Sequence, residues 1–157
     1  MRTALLLLFL LFPSLSLAAP IPGIVLRVVD GDTVSVRVDK EEVRVRLYGI
    51  DAPERKQPGG PEAQAFVEDL ILTERVTLEQ QGKPDRYGRL VAIIVLPDGS
   101  ILQDKIVQAG HAWVYPQYCK AARCVRWQEM QDEAKRERRG LWGMDARPPW
   151  EWRRGKK

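Results

Sequence analysis

The chain is poor in the residues that soft-metal and histidine chemistries require. Among 157 residues there is one histidine, His111, and there are two cysteines, Cys119 and Cys124. One imidazole cannot supply the pair that two-histidine phosphodiester chemistry uses, and three such residues are too few ligands for a tetrahedral zinc site. A structural role is therefore the expectation for His111. P-loop, internal repeat and second domain are all missing. No apolar run reaches the about 20 residues that a bilayer-spanning helix needs. The longest, Ala4 to Phe12, follows Met1-Arg2-Thr3 and precedes the small residues Ser16 and Ala18. That is the pattern of an export signal cleaved after Ala18, with an uncleaved anchor as the alternative. No cysteine follows the run, so a lipid-anchored amino terminus is not supported.

What is present belongs to an ordinary soluble domain: 45% hydrophobic and 29% charged residues, enough chain for one sizeable core. A formal net charge of +4 favours a polyanionic partner without naming one. Export also sets the reading of the cysteines, because two thiols alone in an oxidising compartment most simply form one disulfide, Cys119 to Cys124. A continuous helix would hold those positions about 7.5 Å apart in rise alone, beyond the usual reach of a disulfide. Cys119 must then precede the helix that Cys124 enters.

Periodicity divides the rest of the chain. Ile24 to Val29 is β-rich, Asp30-Gly31-Asp32 is a turn, and Val34, Val36 and Val38 alternate with polar residues in a second strand. Val43, Val45 and Leu47 alternate with Arg44, Arg46 and Tyr48 in a third. A loop from Gly49 to Gly60 leads to a helix opened by Pro61 and Glu62, with Ala63, Phe66, Val67, Leu70 and Ile71 at helical spacing. Strands are expected at Arg75 to Gln80 and Leu90 to Leu96. Ser100 and Gln103 have the spacing of a capping box for a second helix to about Ala109, with Leu102, Ile106 and Ala109 inward. The third helix is expected from Arg123 to Arg139, with Trp127, Met130 and Ala134 as its buried stripe and Gly140 just past its end. The expected fold is α+β, mainly β: a five-stranded OB-fold barrel with three helices. Residues 1–18 form the signal, 19–23 a lead-in, 24–143 the domain and 144–157 a basic mobile tail.

Three carboxylates and two arginines have a joint reading. Asp32 and Asp51 lie at chain turns, Glu54 follows three residues on, and Arg46 and Arg89 flank them. A carboxylate in such a turn ordinarily serves the turn itself, and an arginine on the polar side of a strand is ordinarily solvated, as is expected of Arg44. Turns, however, need neither Arg46 nor Arg89. Carboxylate oxygens hold hard divalent cations, and a guanidinium fork matches phosphate oxygens at any workable pH. The set points to a metal-dependent phosphodiesterase acting on nucleic acid.

The segments D-G-D-T at Asp30 to Thr33, R-L-Y-G-I-D-A-P-E at Arg46 to Glu54 and D-R-Y-G-R-L at Asp85 to Leu90 resemble the staphylococcal nuclease family. The resemblance runs from Ile24 to Trp142. It implies an OB-fold and a Ca²⁺-dependent endonuclease acting on DNA and RNA and leaving 3′-phosphate and 5′-hydroxyl ends. By motif, Asp32 and Asp51 match the calcium carboxylates, with the Ala52 carbonyl as a further ligand. Arg46 and Arg89 match the phosphate-clamping arginines and Glu54 the general base, while Arg86 and Tyr87 fall where the family contacts nucleotide phosphate. The loop between Glu54 and Pro61 looks shorter than in the family pattern, and neither Tyr115 nor Tyr118 is placed uniquely as a substrate tyrosine. The expected protein is a periplasmic or secreted monomer without stable membrane association. The alternative is a non-catalytic OB module that binds nucleic acid or protein, in which these five positions would have been replaced. Trp113, Trp127 and Trp142 are expected in the core. Trp150 and Trp152 lie where a basic tail could touch single strands or do nothing.

Overall fold

A computed structural model describes residues 19–155, so the expected signal segment lies outside the described residues. Five strands close into a barrel in the order β1 (Ile21–Asp30), β2 (Thr33–Val38), β3 (Glu41–Leu47), β6 (Leu90–Val95) and β5 (Arg75–Gln80). Closure is antiparallel everywhere except between β3 and β6, which run parallel. The barrel removes free sheet edges and buries its inward side chains in one core that includes Val25, Val34, Val36, Val45, Leu47, Leu78 and Ile94. The five-stranded, mainly β OB-type barrel expected from the alternation is therefore what the chain adopts.

Helix α1 (Gly60–Ile71) buries Ala63, Val67 and Ile71 against the barrel, as its spacing predicts. Helix α2 (Leu102–Gln108) differs from expectation at its start. Ile101 occupies the N-cap without a side-chain bond, and the Ser100 hydroxyl donates to Asp98 instead. Gln103 is not part of a capping box: it is fully buried, accepting from the Ile94 amide and donating to the Ala92 carbonyl across to β6. The inner face is Leu102, Gln103, Ile106 and Val107, and Ala109 has left the helix.

Helix α3 (Arg123–Arg136) ends three residues short of expectation, because Arg138 takes the left-handed conformation at φ +54° and turns the chain before Gly140. Its fully buried residues are Trp127, Gln131 and Ala134, with Met130 half-buried against the core, and Gln131 accepts from the Val114 amide at 2.8 Å. Cys119 and Cys124 are joined, with Cα atoms 5.7 Å apart and Cys119 ahead of the helix. Trp127 and Trp113 are buried and Trp142 is half-buried. His111 lies against the Phe66 ring, its pKa lowered by burial. Instead of three helices the described residues carry four: the stretch expected as a basic tail carries α4 (Pro149–Arg154), preceded by one 3-10 turn at Gly140–Gly143. Among the described residues no helix is long and apolar enough to cross a membrane.

Candidate active site

One end of the barrel opens into a cleft of about 750 Å³. Four segments form it: the β1–β2 turn, the end of β3 with the strand after it, the loop before β6, and the end of α4 with Tyr115 and Tyr118. Bulges in β1 between Val25 and Arg27, and between Val28 and Asp30, re-aim the β1–β2 turn over the barrel end. Gly31 lets that turn approach the following loop: a Cβ there would sit 2.7 Å from Ala52 Cβ and 2.9 Å from Ala63 Cβ. The Asp32 carbonyl accepts from the Leu47 amide at 2.8 Å, so the turn and the end of β3 are tied.

After β3 the chain turns at Gly49, whose φ of +75° favours glycine and whose missing side chain leaves room for Cys119 and Trp127. It then forms the two-residue strand β4 (Ile50–Asp51), paired with β7 (Trp113–Val114). Asp51 is thereby locked into a small sheet and is 1% exposed, while Asp32 is 6% exposed.

The side chains form a continuous chain of contacts. Arg89 Nη1 donates to the Thr33 hydroxyl at 3.4 Å, and that hydroxyl donates to Asp32 Oδ1 at 3.1 Å. Arg46 bridges the two acids, with Nη1 at 3.1 Å from Asp32 Oδ1 and Nη2 at 2.9 Å from Asp51 Oδ1. Arg153 then joins Asp51 to Glu54, with Nη2 at 2.6 Å from Asp51 Oδ2 and Nη1 at 2.9 Å from Glu54 Oε1. The Ala52 amide donates to Asp32 Oδ2 at 2.6 Å. Arg46, Glu54, Arg89, Asp32, Asp51 and Ala52 thus line one cleft, as do Arg86 and Tyr87. The latter two sit at its rim: Arg86 Nη2 donates to the Tyr87 hydroxyl at 2.6 Å, and both Arg86 and Arg89 lie over the exposed Tyr87 ring.

Electrostatics make this a site under charge stress. Burial raises the Asp51 pKa, and the Asp32 charge adds to the rise, while the Arg153 hydrogen bond and the Arg46 charge oppose it. Asp30, whose carboxylate accepts from the Asp32 amide, is pushed up to about 7 by burial and by Asp32. At Asp85, burial is outweighed by hydrogen bonds from Arg89 and the Tyr87 amide, which hold the carboxyl below its usual range.

Several residues of the site were not singled out by the sequence. Asp85 grips Arg89 through Nε at 2.8 Å and Nη2 at 2.7 Å, and its place four residues before Arg89 was the available signal. Thr33 lay inside the D-G-D-T motif. Gln57 is buried under the loop, accepting from the Glu54 amide and donating to the Arg147 carbonyl. Arg153, from a stretch expected to be a tail, carried no signal at all.

Comparison with known proteins follows this geometry. Residues 44–144 match the family described as staphylococcal nuclease homologue. A protein of Escherichia coli named an uncharacterized endonuclease is 40% identical over 157 residues, covering 99% of this chain and 100% of its own. A micrococcal nuclease of Shigella flexneri is 38% identical over 144 residues, covering 86% of this chain and 82% of its own. A staphylococcal-like nuclease of Arabidopsis thaliana is 38% identical over 122 residues, covering 74% of this chain and 35% of its own.

Proposed function

The chain belongs to the staphylococcal nuclease family, and from that premise we propose that it is an exported, Ca²⁺-dependent endonuclease hydrolysing phosphodiester bonds of DNA and RNA. The products are 3′-phosphate and 5′-hydroxyl ends. The observation that carries the reading is the chain of contacts from Arg89 through Thr33, Asp32, Arg46, Asp51 and Arg153 to Glu54 in a single cleft.

The residues fit a hard cation. Asp32 and Asp51 are buried acids within reach of the same guanidinium, and Asp51 is destabilised by the charge of Asp32, a repulsion that a divalent ion between them relieves. Among the described residues no three His, Cys, Asp or Glu side chains are grouped to hold a metal. Two carboxylates completed by the Ala52 carbonyl and water suit Ca²⁺, which accepts such oxygen ligands, and not zinc. Bound there, Ca²⁺ supplies Lewis-acid stabilisation to a phosphate oxygen.

The protein's own groups do the rest. Arg46 and Arg89 grip the non-bridging oxygens, and their charge is fixed before the reaction builds negative charge on those oxygens. Glu54 accepts a proton from a water molecule whose oxygen bonds to phosphorus. The P–O5′ bond breaks, and the leaving oxygen takes a proton from solvent to become the 5′-hydroxyl. Arg86 and Tyr87, at the rim, meet a neighbouring phosphate.

The test is digestion of single-stranded DNA with Ca²⁺, with chelator, and by Glu54→Gln, followed by analysis of the new ends. Expected are Ca²⁺-dependent cutting to 3′-phosphate ends and a loss of about 10² or more in rate for the variant. Binding without cutting would favour the non-catalytic module instead.

A further inference from the structure

Helix α4 brings two side chains to positions that the proposed reaction needs for other things. The Arg153 guanidinium spans Asp51 and Glu54, one an ion-holding acid and the other the base, at 2.6 and 2.9 Å. It lays a fixed positive charge on the oxygens that a cation and a water would use. One turn earlier on the helix, Trp150 lies flat on Tyr115, with ring centroids 5.0 Å apart and planes 3° from parallel. Tyr115 lines the same cleft as the acids. A flat aromatic face at the mouth of a cleft flanked by arginines is the kind of surface on which a nucleobase stacks.

The two contacts are chemically independent, one ionic and one aromatic. They nonetheless arise from positions three apart, which share a helix face. The helix is also anchored from behind, since Gln57 donates to the Arg147 carbonyl at 2.5 Å and Pro149 is buried. Anchoring on one side and charge and ring on the other describe a segment held over the cleft by its own base.

Resting on the nuclease reading above, we propose that α4 is a built-in competitor for the active site: Arg153 stands in for the ion at Asp51 and for the attacking water at Glu54, and Trp150 stands in for a nucleobase on Tyr115. Ion and nucleic acid then open the site by displacing the helix, and the affinity each shows is reduced by the fraction of chains in which α4 is docked. The device responds to ion and salt. Burial opposes the charge on Arg153, but its hydrogen bonds to Asp51 and Glu54 outweigh that and raise its pKa further. The Arg153 side chain is 43% exposed, so the lock is screened by salt and weak enough for Ca²⁺ to break.

An alternative role for both residues, as extra grips on substrate, has the opposite sign, and that makes the test decisive. Full-length protein, Arg153→Gln, Arg153→Lys and Trp150→Ala, each checked for folding by thermal melting, are titrated with Ca²⁺ by calorimetry. They are also titrated with a short single-stranded oligonucleotide in chelator by fluorescence anisotropy. Arg153→Gln is expected to bind Ca²⁺ about tenfold more tightly, the scale of one charge-assisted contact removed from the competitor, and Arg153→Lys to return towards wild type. Trp150→Ala is expected to bind the oligonucleotide several-fold more tightly. Unchanged or weaker Ca²⁺ binding by Arg153→Gln, or weaker oligonucleotide binding by Trp150→Ala, overturns the competitor. A wild-type chain that cuts DNA without these shifts refutes the competitor alone, whereas a chain that cuts nothing under any ion refutes the nuclease reading.

Discussion

Replacing Arg46 with Gln tests how far the ion-free site depends on one guanidinium. Arg46 is 15% exposed and lies between Asp32 and Asp51, which are almost fully buried. In Arg46→Gln, Asp51 keeps Arg153, while Asp32 keeps only neutral donors, the Thr33 hydroxyl and the Ala52 amide. Removing one partner of a buried ion pair costs about 3–5 kcal/mol, and the surviving donors place this case near about 3. At about 3 °C per kcal/mol for a domain of this size, Tm should fall by about 10 °C. The pH dependence has a definite sign. Burial already raises Asp51, and losing the opposing Arg46 charge raises it further. An acid with a raised folded-state pKa keeps a proton that the unfolded chain releases, so stability falls as pH rises. The deficit is therefore larger at pH 8 than at pH 5. On the proposed mechanism, Ca²⁺ should recover most of it by taking over the charge between the two acids, while cleavage stays low because the proposed phosphate clamp is gone. Thermal melts followed by circular dichroism, in chelator and in Ca²⁺ at both pH values, measure all of this. A variant that melts with wild type in chelator at pH 8 would refute the buried-pair reasoning. Failure of Ca²⁺ to restore any stability would refute the shared-ion reasoning.

Three further outcomes follow from single contacts. Asp85→Asn keeps the acceptor for the Tyr87 and Arg89 amides but weakens the hold on the Arg89 side chain. Its kcat/KM should fall about tenfold with Tm nearly unchanged, because fixed orientation is lost while a local ion pair four residues apart on the cleft wall contributes little to stability. Cys119→Ser with Cys124→Ser opens a loop of sequence separation 5, which should cost about 2 kcal/mol and lower Tm by about 6 °C in melts without reductant. Asp30→Asn addresses the acid pushed up to about 7. In chelator, wild-type stability should fall with rising pH between about 4 and 7 by up to about 1.4 kcal/mol per pH unit, and the variant should flatten that slope in chemical denaturation.

The barrel was legible because alternation at Val34, Val36 and Val38 and at Val43, Val45 and Leu47 reports burial on one face, and a curled sheet keeps that face continuous. The acids and arginines were legible for a different reason: turn chemistry does not require Arg46 or Arg89. Elements too short to show a period were not. Strand β4 has two residues, yet its pairing with β7 is what buries Asp51. Gln103 reads as part of a capping box and Gln131 carries no pattern, yet both serve as buried cross-links, since a primary amide that satisfies a backbone amide can enter a core. The end of α3 was misplaced because Arg138 adopts a conformation that glycine favours, which no spacing announces. Most of all, the stretch after Gly143 looked like a solvated basic tail. Its ordering comes from contacts with partners about 30 to 100 residues away, including Tyr115 at Trp150 and Asp51 and Glu54 at Arg153, and local pattern does not carry such contacts.

The most direct measurement is the rate of single-stranded DNA cleavage by Asp51→Asn across a Ca²⁺ titration, alongside calorimetric Ca²⁺ binding by the same protein. Asn keeps the size of the side chain and one acceptor but removes the charge that the ion requires. Binding should be lost or weakened by about two orders of magnitude, with cleavage lost in parallel at the ion concentration that saturates wild type. Wild-type Ca²⁺ affinity with wild-type cleavage would contradict the central claim that Asp32 and Asp51 hold the ion on which the reaction depends.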